Sequence, residues 1–214
     1  MPAIPDAIAI HEAYVRGDLD ALRALLSDPE DFPNCPGPRG MGEIILEYAI
    51  YWSPLPFIKK LLELGANPNY DDHAGFPSLI AALSTERTDK LAVLELLLSY
   101  GADIQQRGHN DWTPMHGAAV HDDPASTALL LSQGADPHAR TRIDDRETPL
   151  EEAERFGKKH AQRPCARSLS ALASEPSAPH QRRVNQFFIW SSSAAARIIT
   201  ASIPSTLRLA SGLR

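Results

Sequence analysis

Three histidines, His109, His116 and His121, lie close together in the chain with Asp111, Asp122 and Asp123 beside them. Imidazole and carboxylate groups in company can hold zinc or relay a proton, so catalysis would be sought here first. Zinc requires ligands that converge on one point, usually with two of them on one helix face. His121 follows His116 by five residues, and His109 precedes both on what reads as a loop. That separation aims the three rings in different directions. Structural or solvated roles are expected for them, because a buried imidazole must find hydrogen-bond partners. A metal-dependent or acid–base enzyme using His109, His116 and His121 is the alternative. His73 and His138 read as solvated loop residues. Glu151, Glu152 and Glu154 read as the solvated face of a short helix. The chain has no Gly-x-Ser-x-Gly elbow and no glycine cluster that could cradle a phosphate. No catalytic residue, metal site or cofactor is expected.

The elements that would position these side chains are set by a repeat. Gly65-Ala66-Asn67, Gly101-Ala102-Asp103 and Gly134-Ala135-Asp136 follow one another at intervals of 36 and 33 residues. A leucine-rich run precedes each: Leu61-Leu62, Leu96-Leu97-Leu98 and Leu129-Leu130-Leu131. A second mark keeps the same phase. Thr113-Pro114-Met115-His116 is followed 35 residues later by Thr148-Pro149-Leu150-Glu151. Pro77-Ser78-Leu79-Ile80 and Ile44-Ile45-Leu46-Glu47 hold the same place in earlier units. Thr113 and Thr148 suit helix N-caps, and Pro114 and Pro149 the first helical position, where a missing N–H is harmless. Gly65, Gly101 and Gly134 fall where a helix ends in a left-handed residue. Polar, turn-like loops such as 70–75 and 107–111 follow or precede these helices.

Helix, turn, helix, terminal glycine and outward loop at this period resemble the ankyrin repeat. The resemblance rests on Thr113-Pro114-Met115-His116-Gly117-Ala118-Ala119 and on Leu130-Leu131-Ser132-Gln133-Gly134-Ala135-Asp136. It implies an all-α solenoid of about five helix-turn-helix repeats with projecting loops, near 8–34, 39–69, 72–104, 108–136 and 144–163. The first and last are degenerate, and 84–90 lengthens the turn inside the third. After Gly157 the expected second helix fails, Pro164 being badly placed for it. The resemblance also makes His116 a structural residue, bonded to its cap and to the neighbouring repeat. It implies a protein-interaction module (adaptor, inhibitor or scaffold) that binds through loop tips and the concave helix face.

Those tips are Tyr70, Asp71, Asp72 and His73; then His109, Asn110, Asp111 and Trp112; then Arg142, Asp144, Asp145 and Arg146. Trp112 leads this group, because aromatic residues dominate interface energies, although packing between adjacent loops competes for it. Tyr48, Tyr51 and Trp52 read as core between repeats more readily than as exposed anchors. The net charge is −6, yet residues 165–214 hold six Arg and one Glu, so the first 164 residues carry −11. An acidic body repels phosphates, so nucleic acid is not expected, and a protein partner with a basic patch is. The two cysteines, Cys35 and Cys165, form no paired motif, and a reducing, cytoplasmic setting is the default. The N-terminal residues lack the pattern of a secretory signal. From 164 to 214 a Ser-, Ala- and Arg-rich tail is expected to be largely disordered. Ala166–Ser174 offers a substitute capping helix. Val184–Ile203 is too polar for a membrane span, and contact of the tail with a membrane surface is a lesser expectation.

Overall fold

The computed structural model describes residues 7–37, 44–70, 76–143, 146–160 and 162–164. All of them belong to the first of two units, Met1–Ser174. The expected tail, beyond Pro164, lies outside the described residues. Among those described there is no strand; residues 162–164 are helical, and nine α-helices precede them. They are α1 (Ala7–Arg16), α2 (Leu19–Leu25), α3 (Ile45–Trp52), α4 (Leu55–Glu63), α5 (Ser78–Leu83), α6 (Lys90–Ser99), α7 (Pro114–Val120), α8 (Pro124–Ser132) and α9 (Pro149–Arg155).

Eight of the nine pair as hairpins: α1 with α2, α3 with α4, α5 with α6, and α7 with α8. The first helices stack in sequence, α1 on α3, α3 on α5, α5 on α7 and α7 on α9, while α4, α6 and α8 stack behind them. The fold is thus an all-α array of repeated helix pairs. One apolar core runs through it, from Ile10, Tyr14 and Leu22 through Ile45, Ile50, Ile58 and Leu61 to Leu94, Leu97, Met115 and Leu130. Burying a side chain of this size stabilises by about 1.5–3 kcal/mol. No single hairpin has two apolar walls, so each unit depends on its neighbour. The fifth unit contributes α9. The residues that would follow as its second helix lie, from 165 on, outside the described residues. None of the described helices is long and apolar enough to cross a membrane.

The repeated glycine does the same mechanical work in three units. Gly101 has φ of 85°, a conformation side chains resist, and it lets the chain turn back on the end of α6. The Ala102 N–H then reaches Leu97 O and the Gly101 N–H reaches Leu98 O, both at 3.0 Å. Gly65 and Gly134 repeat the pattern on Leu61 and Leu62, and on Leu130 and Leu131. Carbonyls left over at each helix end are satisfied this way.

A ladder of asparagines ties these turns together. Asn34 Nδ2 donates to Gly65 O at 2.9 Å while its Oδ1 accepts the Asn67 N–H at 2.8 Å. Asn69 repeats this one unit on, donating to Gly101 O at 2.8 Å and accepting the Asp103 N–H at 2.6 Å. Both partners belong to the next repeat, so the bonds are joints between units. The ladder stops there. Gln105 stands four residues past Gly101, as Asn69 stands past Gly65, and makes no such bridge among the described residues. Asn69→Ala is expected to lower the unfolding free energy by about 1 kcal/mol, since the joint is exposed to water. Asn69→Asp, which keeps only the acceptor, should recover part of this in urea titrations.

Candidate functional site

The loop tip before α7 is built by an unusual turn. Residues 109–111 form one turn of 3-10 helix in which Asn110 and Asp111 have φ of 53° and 57°. Asn and Asp tolerate this left-handed region better than most residues. The turn swings the Asp111 carboxylate inward rather than out. It accepts Arg107 Nη1 at 2.6 Å, the Arg142 backbone N–H at 2.6 Å and Arg142 Nε at 2.9 Å. The Arg142 hydrogen bond above all, with the Arg107 charge, holds this carboxyl below its usual range. The Asp111 side chain is 9% exposed and that of Arg142 72% exposed. Two adjacent loop tips are clamped together with the carboxylate hidden and the guanidinium displayed.

Trp112 does not stand at the tip. It is buried, and its indole Nε1–H donates to Glu152 Oε1 on α9 at 3.2 Å. The His109 ring lies 4.8 Å from it, stacked in turn on Phe76 at 4.7 Å. Expected as the leading binding aromatic, Trp112 is a packing residue that joins one repeat to the next. The reason is the extended backbone that follows the turn, which sends its side chain under the neighbouring loop. Tyr70 is corrected likewise. It is buried, and its hydroxyl donates to Phe76 O at 3.0 Å. Asn110 and Arg146 are exposed. Asp71, Asp72, His73, Asp144 and Asp145 lie outside the described residues.

Beneath Trp112 sits a tight acidic pair. Glu152, expected on a solvated face, is 3% exposed. One edge of the Arg155 guanidinium spans two carboxylates, with Nε at 2.7 Å from Glu147 Oε2 and Nη2 at 2.6 Å from Glu152 Oε1. Burial first, then the hydrogen bond shared with Glu147, push Glu152 up to about 7. Glu147 is lowered, chiefly by the same hydrogen bond. With Asn110, Thr141 and Phe156 these groups line a cavity of about 250 Å³.

His116 is fully buried. Its Nδ1 accepts the Thr113 N–H at 3.2 Å and faces the Thr113 hydroxyl at 2.9 Å, while Nε2 lies 3.1 Å from Glu147 O. A carbonyl can only accept, so Nε2 carries the proton and the ring is neutral. Burial keeps it so, holding the imidazole below its ordinary pKa. The ring thus bonds its own cap and the next repeat. His121 is exposed at the end of α7, so the three histidines of the alternative reading do not converge. Among the described residues no three His, Cys, Asp or Glu side chains are placed to hold a metal. Thr148 makes the matching cap with Glu151, whose carboxylate accepts the Thr148 N–H at 2.8 Å.

A match to the ankyrin repeat family covers residues 110–142, the turn, cap and helix pair just described. The chain carries ankyrin repeats. Its ankyrin array is 29% identical over 150 residues to Inversin of Canis lupus familiaris, covering 67% of this chain and 13% of that protein. It is 40% identical over 74 residues to Protein phosphatase 1 regulatory subunit 27 of Mus musculus, covering 34% of this chain and 47% of the relative. The putative ankyrin repeat protein YahD of Escherichia coli (strain K12) is 25% identical over 181 residues, covering 68% and 88%. The chain therefore spans about an eighth of the Inversin length and about half of the phosphatase subunit.

One exposed feature of the ankyrin array escaped the sequence reading. Trp52, at the end of α3, is 54% exposed, and Ile8 on α1 is 70% exposed. The His11 ring stands 5.3 Å from Trp52, held by a 2.8 Å bond between Nδ1 and the Tyr48 hydroxyl. The signal lay in α3 itself. Its sequence, ILEYAIYW, is apolar on nearly every face, more than a core can cover from one side.

Proposed function

We propose that the chain binds a protein partner through the first helices of its opening repeats and through its later loop tips, as an adaptor, inhibitor or scaffold. The observation that carries this is the exposure of Trp52 at the end of α3, more than half of it open to water. Trp is among the residue types most enriched at the anchors of protein interfaces, and this one is not taken up by the core. Trp52 is the anchor. Asn110, Arg142 and Arg146 supply polar contacts from the later loop tips, with His109 packed behind Trp112, and Asp71, Asp72, His73, Asp144 and Asp145 are kept as candidates from the sequence. Tyr70 and Trp112 are left out because they are buried. The mouse relative is by its name a regulatory subunit of a phosphatase, which supports a protein as the ligand class. The acidic balance of the first 164 residues supports a basic patch on the partner.

The test is quantitative affinity capture from cell extract, with the captured proteins identified and the best of them purified for kinetics. Trp52→Ala should weaken that partner about tenfold or more, as loss of an interface anchor does. Glu95→Ala, on the exposed side of α6, should change nothing, and association should slow as salt rises. Equal capture by wild type, Trp52→Ala and Arg142→Glu would remove the proposed face.

A further inference from the structure

The Glu147–Glu152 pair has a single resident cation, since the Arg155 guanidinium bridges both carboxylates. Two carboxylates against one guanidinium, with Glu152 shut away from water, leave a net negative charge in a poorly hydrated place. A proton on the pair removes it and lets one carboxyl donate to the other. The remaining charged groups around the pair are already engaged. Glu151 holds Arg140 and the Thr148 N–H. Asp111 takes Arg107 and Arg142. His116, from α7, meets the backbone carbonyl of Glu147 and not its carboxylate, its other nitrogen being taken by Thr113. On α9, Glu154 is exposed. The one neutral donor is the Trp112 indole, at 3.2 Å from Glu152.

We propose that Glu147 and Glu152 share one proton as a pH-operated latch, which holds Glu147 and α9 against Trp112 and opens when the proton leaves. Glu147 O accepts the Thr141 N–H at 3.1 Å, and the next residue, Arg142, clamps the preceding tip through Asp111. Opening would therefore loosen two adjacent tips together. The latch does not depend on the partner reading above.

Trp112 reports the state of the latch, because its N–H rests on the titrating carboxyl. In the full chain with Trp52→Phe and Trp190→Phe it is the sole tryptophan. Its fluorescence, followed from pH 5.5 to 8.5 by emission maximum and intensity, should show a one-proton transition centred near pH 7. Glu152→Gln should abolish the transition, and Glu147→Gln should move its midpoint to lower pH, the like charge being gone. His109→Phe, which removes the neighbouring imidazole, should leave it in place. A flat profile, or a transition unchanged in both glutamine variants, overturns the proposal. A transition lost in His109→Phe does so as well. If Glu152→Gln fails to fold, the midpoint shift in Glu147→Gln decides.

Discussion

Replacing His116 with Ala is expected to lower the unfolding free energy by about 3 kcal/mol, the largest single loss among the polar positions. The ring is fully buried and bonded on both sides, to Thr113 in its own cap and to Glu147 O in the next repeat. Its removal leaves a void, strands the buried Thr113 N–H and leaves the Glu147 carbonyl with the Thr141 N–H alone. Urea denaturation of the full chain checks this, with His121→Ala as the near-neutral control on the same helix. The pH profile gives a second signature. Burial lowers the His116 pKa, so the unfolded chain takes up a proton that the folded chain refuses. The stability involved is present above the usual histidine range and is lost as pH falls through it. Glu152 acts in reverse, since its raised pKa makes stability fall as pH rises from about 4.5 toward 7. The two oppose each other at intermediate pH. In His116→Ala one of the opposing contributions is lost, and stability should decline more steeply from pH 5 to pH 7 than in the unsubstituted chain.

Arg87→Ala is expected to cost about 2–3 kcal/mol, a large effect for a residue outside any helix. The guanidinium is nearly buried and spends every edge. Nη1 donates to Ile50 O at 3.1 Å and Ser53 O at 2.6 Å, closing the end of α3. Nε and Nη2 meet the two Asp89 oxygens, each at 2.8 Å. Loss of the side chain strands two carbonyls of one repeat and the carboxylate that precedes α6 in the next. The Arg87 bond also holds Asp89 below its usual pKa. That contribution is present above the ordinary carboxylate range and lost as pH falls through the lowered value, and the variant should lack it. Thermal unfolding at pH 7 and pH 3 would show both effects. Arg87→Lys, with one cation and no fork, should recover less than half.

What could be read from the sequence was whatever the backbone itself demands. A left-handed helix end requires glycine and a helix start favours Thr-Pro, so Gly65, Gly101, Gly134, Thr113 and Thr148 announced the period and with it the helix pairs. Roles set by neighbours were not legible. Trp112 and Trp52 are the same residue type next to a helix end, and only the placement of adjoining repeats buries one and bares the other. Arg87 read as part of an inserted turn, since its four partners lie on two repeats. Glu152 read as solvated because nothing local reveals that Trp112 will cover it. Asn34 carried no signal at all, its partners being 31 and 33 residues away.

The end of the asparagine ladder at Gln105 divides the array by the nature of its mortar. Between the early repeats the rungs of the ladder are neutral amides on peptide groups, indifferent to ionic strength. Beyond them the joints are charged: Lys90 with Asp123, Arg142 with Asp111, and Arg155 with Glu147 and Glu152. Added electrolyte weakens the second kind, most where a partner is exposed as Arg142 and Arg155 are, and leaves the first alone. Fraying in brine would therefore begin at α9 and travel toward α1, leaving the repeats that bear Trp52 assembled longest.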